Sequence, residues 1–202
     1  MSNPTTATYW GRTLDVLRSV YFTEDTGNNF SSDELIEKTL RSSPILLDTP
    51  SQFFRAFFHA FIEGGLKDTA LELEIEFIFF YVCTPDDQVL EQFINILQRL
   101  KTKPIRWVLV KNLFRTNKEE WKQVLSNKTI SSTLKKYQVV EMFLPELKRP
   151  EITMIERQKL SFPEAITQCP TLVGKTRLHR YQKVCDAEFA RVFLELIKLH
   201  EQ

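Results

Sequence analysis

Leu71-Glu72-Leu73-Glu74-Ile75-Glu76-Phe77-Ile78-Phe79-Phe80-Tyr81-Val82 is the stretch on which the fold turns. Its first half alternates apolar and acidic residues, as a half-buried strand does, and its second half is continuously apolar, as a strand covered on both faces is. The pattern predicts a helix over 66–72 followed by a central strand over 75–82. Two more runs share that character: Ile105-Arg106-Trp107-Val108-Leu109-Val110 after Pro104, and Val139 to Leu144, which ends at Pro145. A fourth is Ile45-Leu46-Leu47, ending on Asp48. An all-α helical repeat would need the runs around 78, 107 and 141 to be buried helices, but each is only six to eight residues long and bounded by Pro or turn residues.

Helical patterns fill the spaces between these runs. Trp10, Leu14, Leu17 and Tyr21 have helical spacing over 7–21, and Ser31 with Glu34 forms a capping box for a helix over about 32–42. A helix from Pro50 to Glu63 carries Phe53, Phe54, Phe57, Phe58 and Phe61 inward and is ended by Gly64-Gly65. Thr84-Pro85-Asp86-Asp87 opens an amphipathic helix with Val89, Leu90, Phe93, Ile94, Leu97 and Leu100 on one side. Further helical stretches cover 117–126 and 130–137. Residues 150–183 read as irregular apart from a short helix capped by Ser161-Phe162-Pro163-Glu164, and a last amphipathic helix spans Val184 to His200. The order β-α-β-α-β-α-β from 45 to 144 predicts an α/β domain spanning 1–202, a doubly wound, mostly parallel sheet with helices on both faces.

Composition narrows the function classes. The chain has 202 residues with 43% hydrophobic and 26% charged content, which is globular rather than disordered. Lys and Arg number 27 against 26 Asp and Glu, so the global charge points to neither nucleic acid nor a membrane surface. The segment Lys148 to Lys183 carries +5 and leaves the remainder at −4. Arg149, Lys175, Arg177, Arg180 and Lys183 could therefore make non-specific phosphate contacts with DNA, although a solvated helix face is the commoner reason for such a run. Cys83, Cys169 and Cys185 lack metal-knuckle spacing, as do the scattered His59, His179 and His200. No apolar run approaches the ~20 residues needed to span a bilayer, and the expected location is the cytoplasm.

Pro44-Ile45-Leu46-Leu47-Asp48-Thr49-Pro50 places an acidic group at the carboxyl end of a strand, where open α/β sheets bind ligands. Thr49 can cap the next helix, with Pro50 in its first turn and Gln52 completing a capping box. An ordinary strand-to-helix junction with a surface carboxylate fits the same heptapeptide equally well.

Taken together these pieces resemble the ParA/MinD-type P-loop ATPases, the family of plasmid-partition and septum-positioning proteins. Ile45-Leu46-Leu47-Asp48-Thr49-Pro50 is similar to the family's Asp-Thr-Pro strand end. Tyr81-Val82-Cys83-Thr84-Pro85-Asp86 is similar to the next strand and helix start, and Trp107-Val108-Leu109-Val110-Lys111-Asn112 to the strand whose terminal asparagine reads adenine. Phe143-Leu144-Pro145-Glu146 and Lys159-Leu160-Ser161-Phe162-Pro163-Glu164-Ala165 resemble the family's later segments. The resemblance implies ATP and Mg²⁺ as cofactors. It assigns Asp48 to magnesium through water or to the attacking water, Asn112 to the adenine edge, and Pro145 to the wall beside the base.

The family's N-terminal strand and its Lys-Gly-Gly-x-Gly-Lys-Thr loop have no counterpart in this sequence. Ser2 to Trp10 resemble the segment after the family's second strand. Gly174-Lys175-Thr176 is not a substitute, because the glycine that a P-loop needs five residues before Gly174 is Cys169. Phosphoryl transfer depends on electrostatic stabilisation of the transferred group, so the chain is expected to bind nucleotide poorly and not to hydrolyse it. The functional expectation is a partition or positioning protein that works by nucleotide-dependent association, with homodimers, DNA or a protein as partners. The alternative is a non-enzymatic protein-interaction scaffold that keeps the α/β fold.

Overall fold

The computed structural model describes residues 53–100 and 104–200. The strand expected over 45–48, the helices expected over 7–21 and 32–42, and Asp48 lie outside them. Eight helices and three strands make up the described residues. Contacts divide the chain into two compact units, one including residues 53–77 with 104 and 105, the other 78–100 with 106–200.

In the first unit, α1 (Phe53–Ile62) buries Phe57 and Phe61, while Phe54 and Phe58 are half-buried. The rings of Phe57 and Phe61 stack at 5.2 Å, and Phe77 meets both edge-on at 5.6 and 5.9 Å. Gly64 ends the helix where a Cβ would lie 2.7 Å from the Ala60 carbonyl oxygen, and Gly65 turns the chain at φ 76°. The next helix, α2 (Leu66–Glu72), continues through a turn in which Ile75 N–H donates to the Ala70 carbonyl at 2.8 Å and Glu74 takes φ 55°. The alternating Leu-Glu-Leu-Glu run therefore belongs to a helix end and its turn, and the strand β1 begins at Phe77 and runs to Cys83. That is two residues later than the alternation suggests.

The larger unit carries α3 (Asp87–Arg99), β2 (Ile105–Asn112, whose first residue falls in the other unit), α4 (Lys118–Leu125), α5 (Lys128–Lys136) and β3 (Val140–Leu144). The strands form a parallel sheet in the order β1-β2-β3, with Val108 opposite Val140 and Asn112 opposite Leu144. Side chains on a strand alternate between faces, so the sheet carries two sets. On one face Phe79 stacks on Trp107 at 4.8 Å and Tyr81 on Phe93 of α3 at 4.5 Å. On the other, Val108, Val110, Val140 and Met142 pack against Val192 and Leu196.

This two-sided arrangement follows from strand order. Crossovers between parallel strands are right-handed, and both connections step the same way across the sheet, so their helices fall on one face, where α3 packs on α5. The second face is covered from the C-terminal side by α8 (Leu172–His200). Asp86, Asn117 and Asn127 start α3, α4 and α5 by accepting main-chain N–H bonds on their side-chain oxygens.

Residues 150–183 are helical rather than irregular. They contain α6 (Arg149–Gln158), α7 (Phe162–Gln168) and the first half of α8. The expected Ser161–Glu164 capping box is present, with Ser161 N–H donating to Glu164 Oε2 at 2.7 Å. The last helix begins at Leu172 rather than Val184. Its first twelve residues bury only Gly174 and Leu178, so they carry no apolar stripe to betray the helix. Good helix formers, the Thr171 hydroxyl accepting the Gly174 N–H at 3.1 Å, and an ion pair from Arg177 to α6 hold them instead.

Candidate functional site at the carboxyl edge of the sheet

The end of β2 is shaped by one asparagine. Asn112 Oδ1 accepts the Phe114 N–H at 2.9 Å, and its carbonyl accepts from the Thr116 hydroxyl at 3.1 Å and from Trp121 Nε1 at 3.4 Å. These bonds fold the β2–α4 loop back on the strand end, with Arg115 at φ 58° inside the turn and Trp121 fully buried beneath it. Leu113 N–H donates to the Leu144 carbonyl at 2.9 Å, which extends the β2–β3 pairing past the strand proper. Asn112 and Pro145 are thereby brought to the same edge, the edge at which parallel strands end. Asn112 Oδ1 is engaged by its own loop, and among the described residues no hydrogen bond from its Nδ2 is seen.

Charged groups gather beside Phe143. The buried Lys111 places Nζ 4.1 Å from the Phe143 ring centroid and 2.6 Å from Glu141 Oε2. Lys118, at the first turn of α4, places Nζ 4.8 Å from the same centroid. Phe143 N–H donates to Glu188 Oε2 at 3.1 Å, and Glu188 pairs with Arg191 at 3.1 Å. Desolvation alone would raise the Glu188 pKa, but the bonds from Arg191 and Phe143 N–H and the nearby charges of Arg191 and Lys118 outweigh it, so Glu188 titrates below the usual glutamate range. The sequence signal for this cluster is a Lys and a Glu interrupting adjacent apolar strands. It becomes legible only with the register, which sets Leu109 opposite Glu141 and Lys111 opposite Phe143.

The five cations expected to form a basic surface are not equivalent. Arg177 donates from Nε to Glu151 Oε1 at 2.9 Å, so its charge is already matched. Arg149 begins α6, and Arg180 and Lys183 are exposed on α8 with Lys175 half-buried. Gly174-Lys175-Thr176 lies in the first turn of α8, with the Gly174 N–H bonded to Thr171 Oγ1 and a would-be Cβ 2.5 Å from Cys169 Sγ. A filled helical turn offers no cradle of free N–H groups for phosphates.

At this edge an amide side chain ends one strand and a proline follows the next. Among the described residues no group of three or more His, Cys, Asp and Glu could hold a metal ion, and no helix there is long and apolar enough to cross a membrane. Cys83 ends β1 in a buried position where burial pushes its thiol up to about 12, which keeps it protonated and poorly nucleophilic. Comparison with known proteins finds no matching family model, no matching curated protein and no matching solved structure.

Proposed function

We propose that this chain is a relative of the ParA/MinD-type ATPases, and that it positions a cargo through association governed by nucleotide. The observation that carries this reading is the placement of Asn112 beside Pro145 at the carboxyl edge of a parallel sheet, joined through the Leu113 N–H to Leu144 carbonyl bond of 2.9 Å. In this reading Asn112 Nδ2 donates to the adenine edge and Pro145 flanks the base. Asp48 supplies the magnesium-side carboxylate.

Because the base half of such a site is represented without its phosphate loop, adenosine, ADP and ATP should bind alike and weakly, with dissociation constants on the order of 1 mM. The test is amide NMR titration with each ligand. Adenine-dependent shifts at Leu113, Phe114 and Glu146 that vanish in Asn112→Asp support the reading. Asn112→Asp keeps the Oδ1 acceptor for the Phe114 N–H and removes the Nδ2 donor, so loop collapse and lost recognition are separated. No shift with any of the three ligands overturns it.

A second reading, a protein-interaction scaffold, is favoured by one flank of α8, on which Phe189 and Phe193 also meet Phe80 of β1 at 5.9 and 6.3 Å. Phe189, Phe193, Leu194 and Ile197 are exposed there along successive turns, more apolar surface than isolated exposed side chains represent. Unchanged partner binding in Asn112→Asp, together with its loss on replacing Phe193 and Leu194 by Ser, is the pattern that reading requires.

A further inference from the structure

β3 is the last strand in the sheet order, so among the described residues one of its edges has no strand beside it. Leu144 turns its carbonyl toward β2, where Leu113 N–H reaches it. Main-chain groups alternate in direction along a strand, so Glu141 and Phe143 turn theirs outward. Such groups form a template for a further strand. The Val-Glu-Met-Phe-Leu sequence, rich in strand-forming residues, makes the template a good one.

Two α8 side chains occupy it. Glu188 Oε2 accepts the Phe143 N–H at 3.1 Å, and Arg191 Nη2 donates to the Glu141 carbonyl at 2.5 Å. The two are ion-paired at 3.1 Å, and Arg191 Nη1 also reaches Glu195 at 3.0 Å. One acceptor for an N–H and one donor for the carbonyl two residues earlier is the pattern that a neighbouring strand would present. Glu188 and Arg191 lie one helical turn apart, which suits the span between those two groups.

We infer that Glu188 and Arg191 close the outer edge of β3 against strand addition by a second copy of this chain. A copy is the fitting occupant because two β3 edges related by a two-fold axis pair antiparallel about Met142, which sets Glu141 of one copy opposite Phe143 of the other. No like charges are then opposed, and each outward N–H meets an outward carbonyl. The pair is a side-chain substitute for a strand that keeps the edge closed. An open groove of about 430 Å³, lined by Leu134, Gln138, Val139, Glu141, Glu195 and Leu199 among others, borders the first half of β3 and meets the guard at Glu141 and Glu195.

The test compares the 202-residue chain with its Glu188→Ala/Arg191→Ala variant by sedimentation velocity over a concentration series, with amide exchange read at Glu141 and Phe143. The variant should associate with a dissociation constant at least about tenfold lower than the wild type. Its Phe143 amide should be protected in the dimer and fast in the dilute monomer. Glu188→Gln, which retains an oxygen acceptor, should behave as wild type. A folded double variant that associates no more than wild type overturns the inference, as does association with a fast Phe143 amide, or a Glu188→Gln chain that associates like the double variant. If the double variant does not fold, Arg191→Ala alone decides. Of the two main-chain edge groups it frees the Glu141 carbonyl and leaves the Phe143 N–H with Glu188, so it should still raise association, and identity with wild type at every concentration overturns the inference.

Discussion

Arg177 and Glu151 tie the first half of α8 to the first turn of α6 through one oxygen. Arg177 donates from Nε at 2.9 Å and from Nη2 at 2.5 Å to Glu151 Oε1, while Oε2 of the same carboxylate is buried without a hydrogen-bond partner. Glu151 is 3% exposed, and the Arg177 side chain is open to solvent over 43% of its surface. The carboxylate is the committed partner, and the guanidinium is its link to water.

Removal of Arg177 leaves a buried, uncompensated charge, which is more damaging than loss of the pair as a whole. Arg177→Met is expected to lower stability by up to about 3 kcal/mol, less than a fully buried pair would give because Arg177 is partly solvated. The double variant Glu151→Leu/Arg177→Met should recover much of that loss. Urea unfolding midpoints check both, and a double variant less stable than Arg177→Met would show that Glu151 is held by more than Arg177.

Gly174 sits where a side chain would collide. A Cβ there would meet Cys169 Sγ at 2.5 Å and Thr171 Oγ1 at 2.8 Å. Gly174→Ala should therefore cost about 1–3 kcal/mol through overpacking, despite the better helix propensity of alanine. In a Cys169→Ala background the cost should shrink, and a double-mutant cycle on chemical unfolding measures the coupling.

The Cys83 thiol, pushed up to about 12 by burial from an ordinary 9.0, has a raised folded-state pKa for an acid that is neutral when protonated. The native state thus holds a proton that the unfolded chain gives up, and stability should fall as pH rises from about 9 toward 12. Cys83→Ala should flatten that slope. At pH 8, iodoacetamide should reach Cys83 only when the chain opens.

ATP turnover is expected to be indistinguishable from background for the 202 residues, with Asp48→Ala making no difference. On the proposed ATPase reading, joining a strand and phosphate loop to the chain should confer turnover that Asp48→Ala then abolishes, because the lysine and loop N–H groups offset the repulsion between carboxylate and phosphates. Turnover by the unextended chain that Asp48→Ala removes would show that the site needs no such loop.

The three described strands were legible because each is a short apolar run bounded by Pro or a turn, a pattern that survives without tertiary information. The start of β1 was not, since Leu71 and Leu73 alternate with glutamates in a helix end whose left-handed turn at Glu74 leaves no local signature. The first half of α8 escaped for a different reason: its hold on the fold comes from Arg177 reaching a residue 26 positions away. At the carboxyl edge, Asn112 and Pro145 follow from strand ends. The Lys111, Glu141 and Phe143 grouping depends on register, and Asp48 lies outside the described residues.

The strands and the helices of one layer are made in sequence, each βαβ step closing soon after it leaves the ribosome. The helix that covers the other layer, α8, follows all three strands in the chain. Until residues 172–200 emerge, Val108, Val110, Val140 and Met142 face solvent or whatever else is nearby, for a few seconds at usual elongation rates of about 5–20 residues per second. During that interval the unfinished chain presents a bare sheet face together with an unguarded β3 edge, since Glu188 and Arg191 arrive on the same helix. Before α8 is made the chain is thus more adhesive than afterwards, and the formation of that one helix removes both hazards at once.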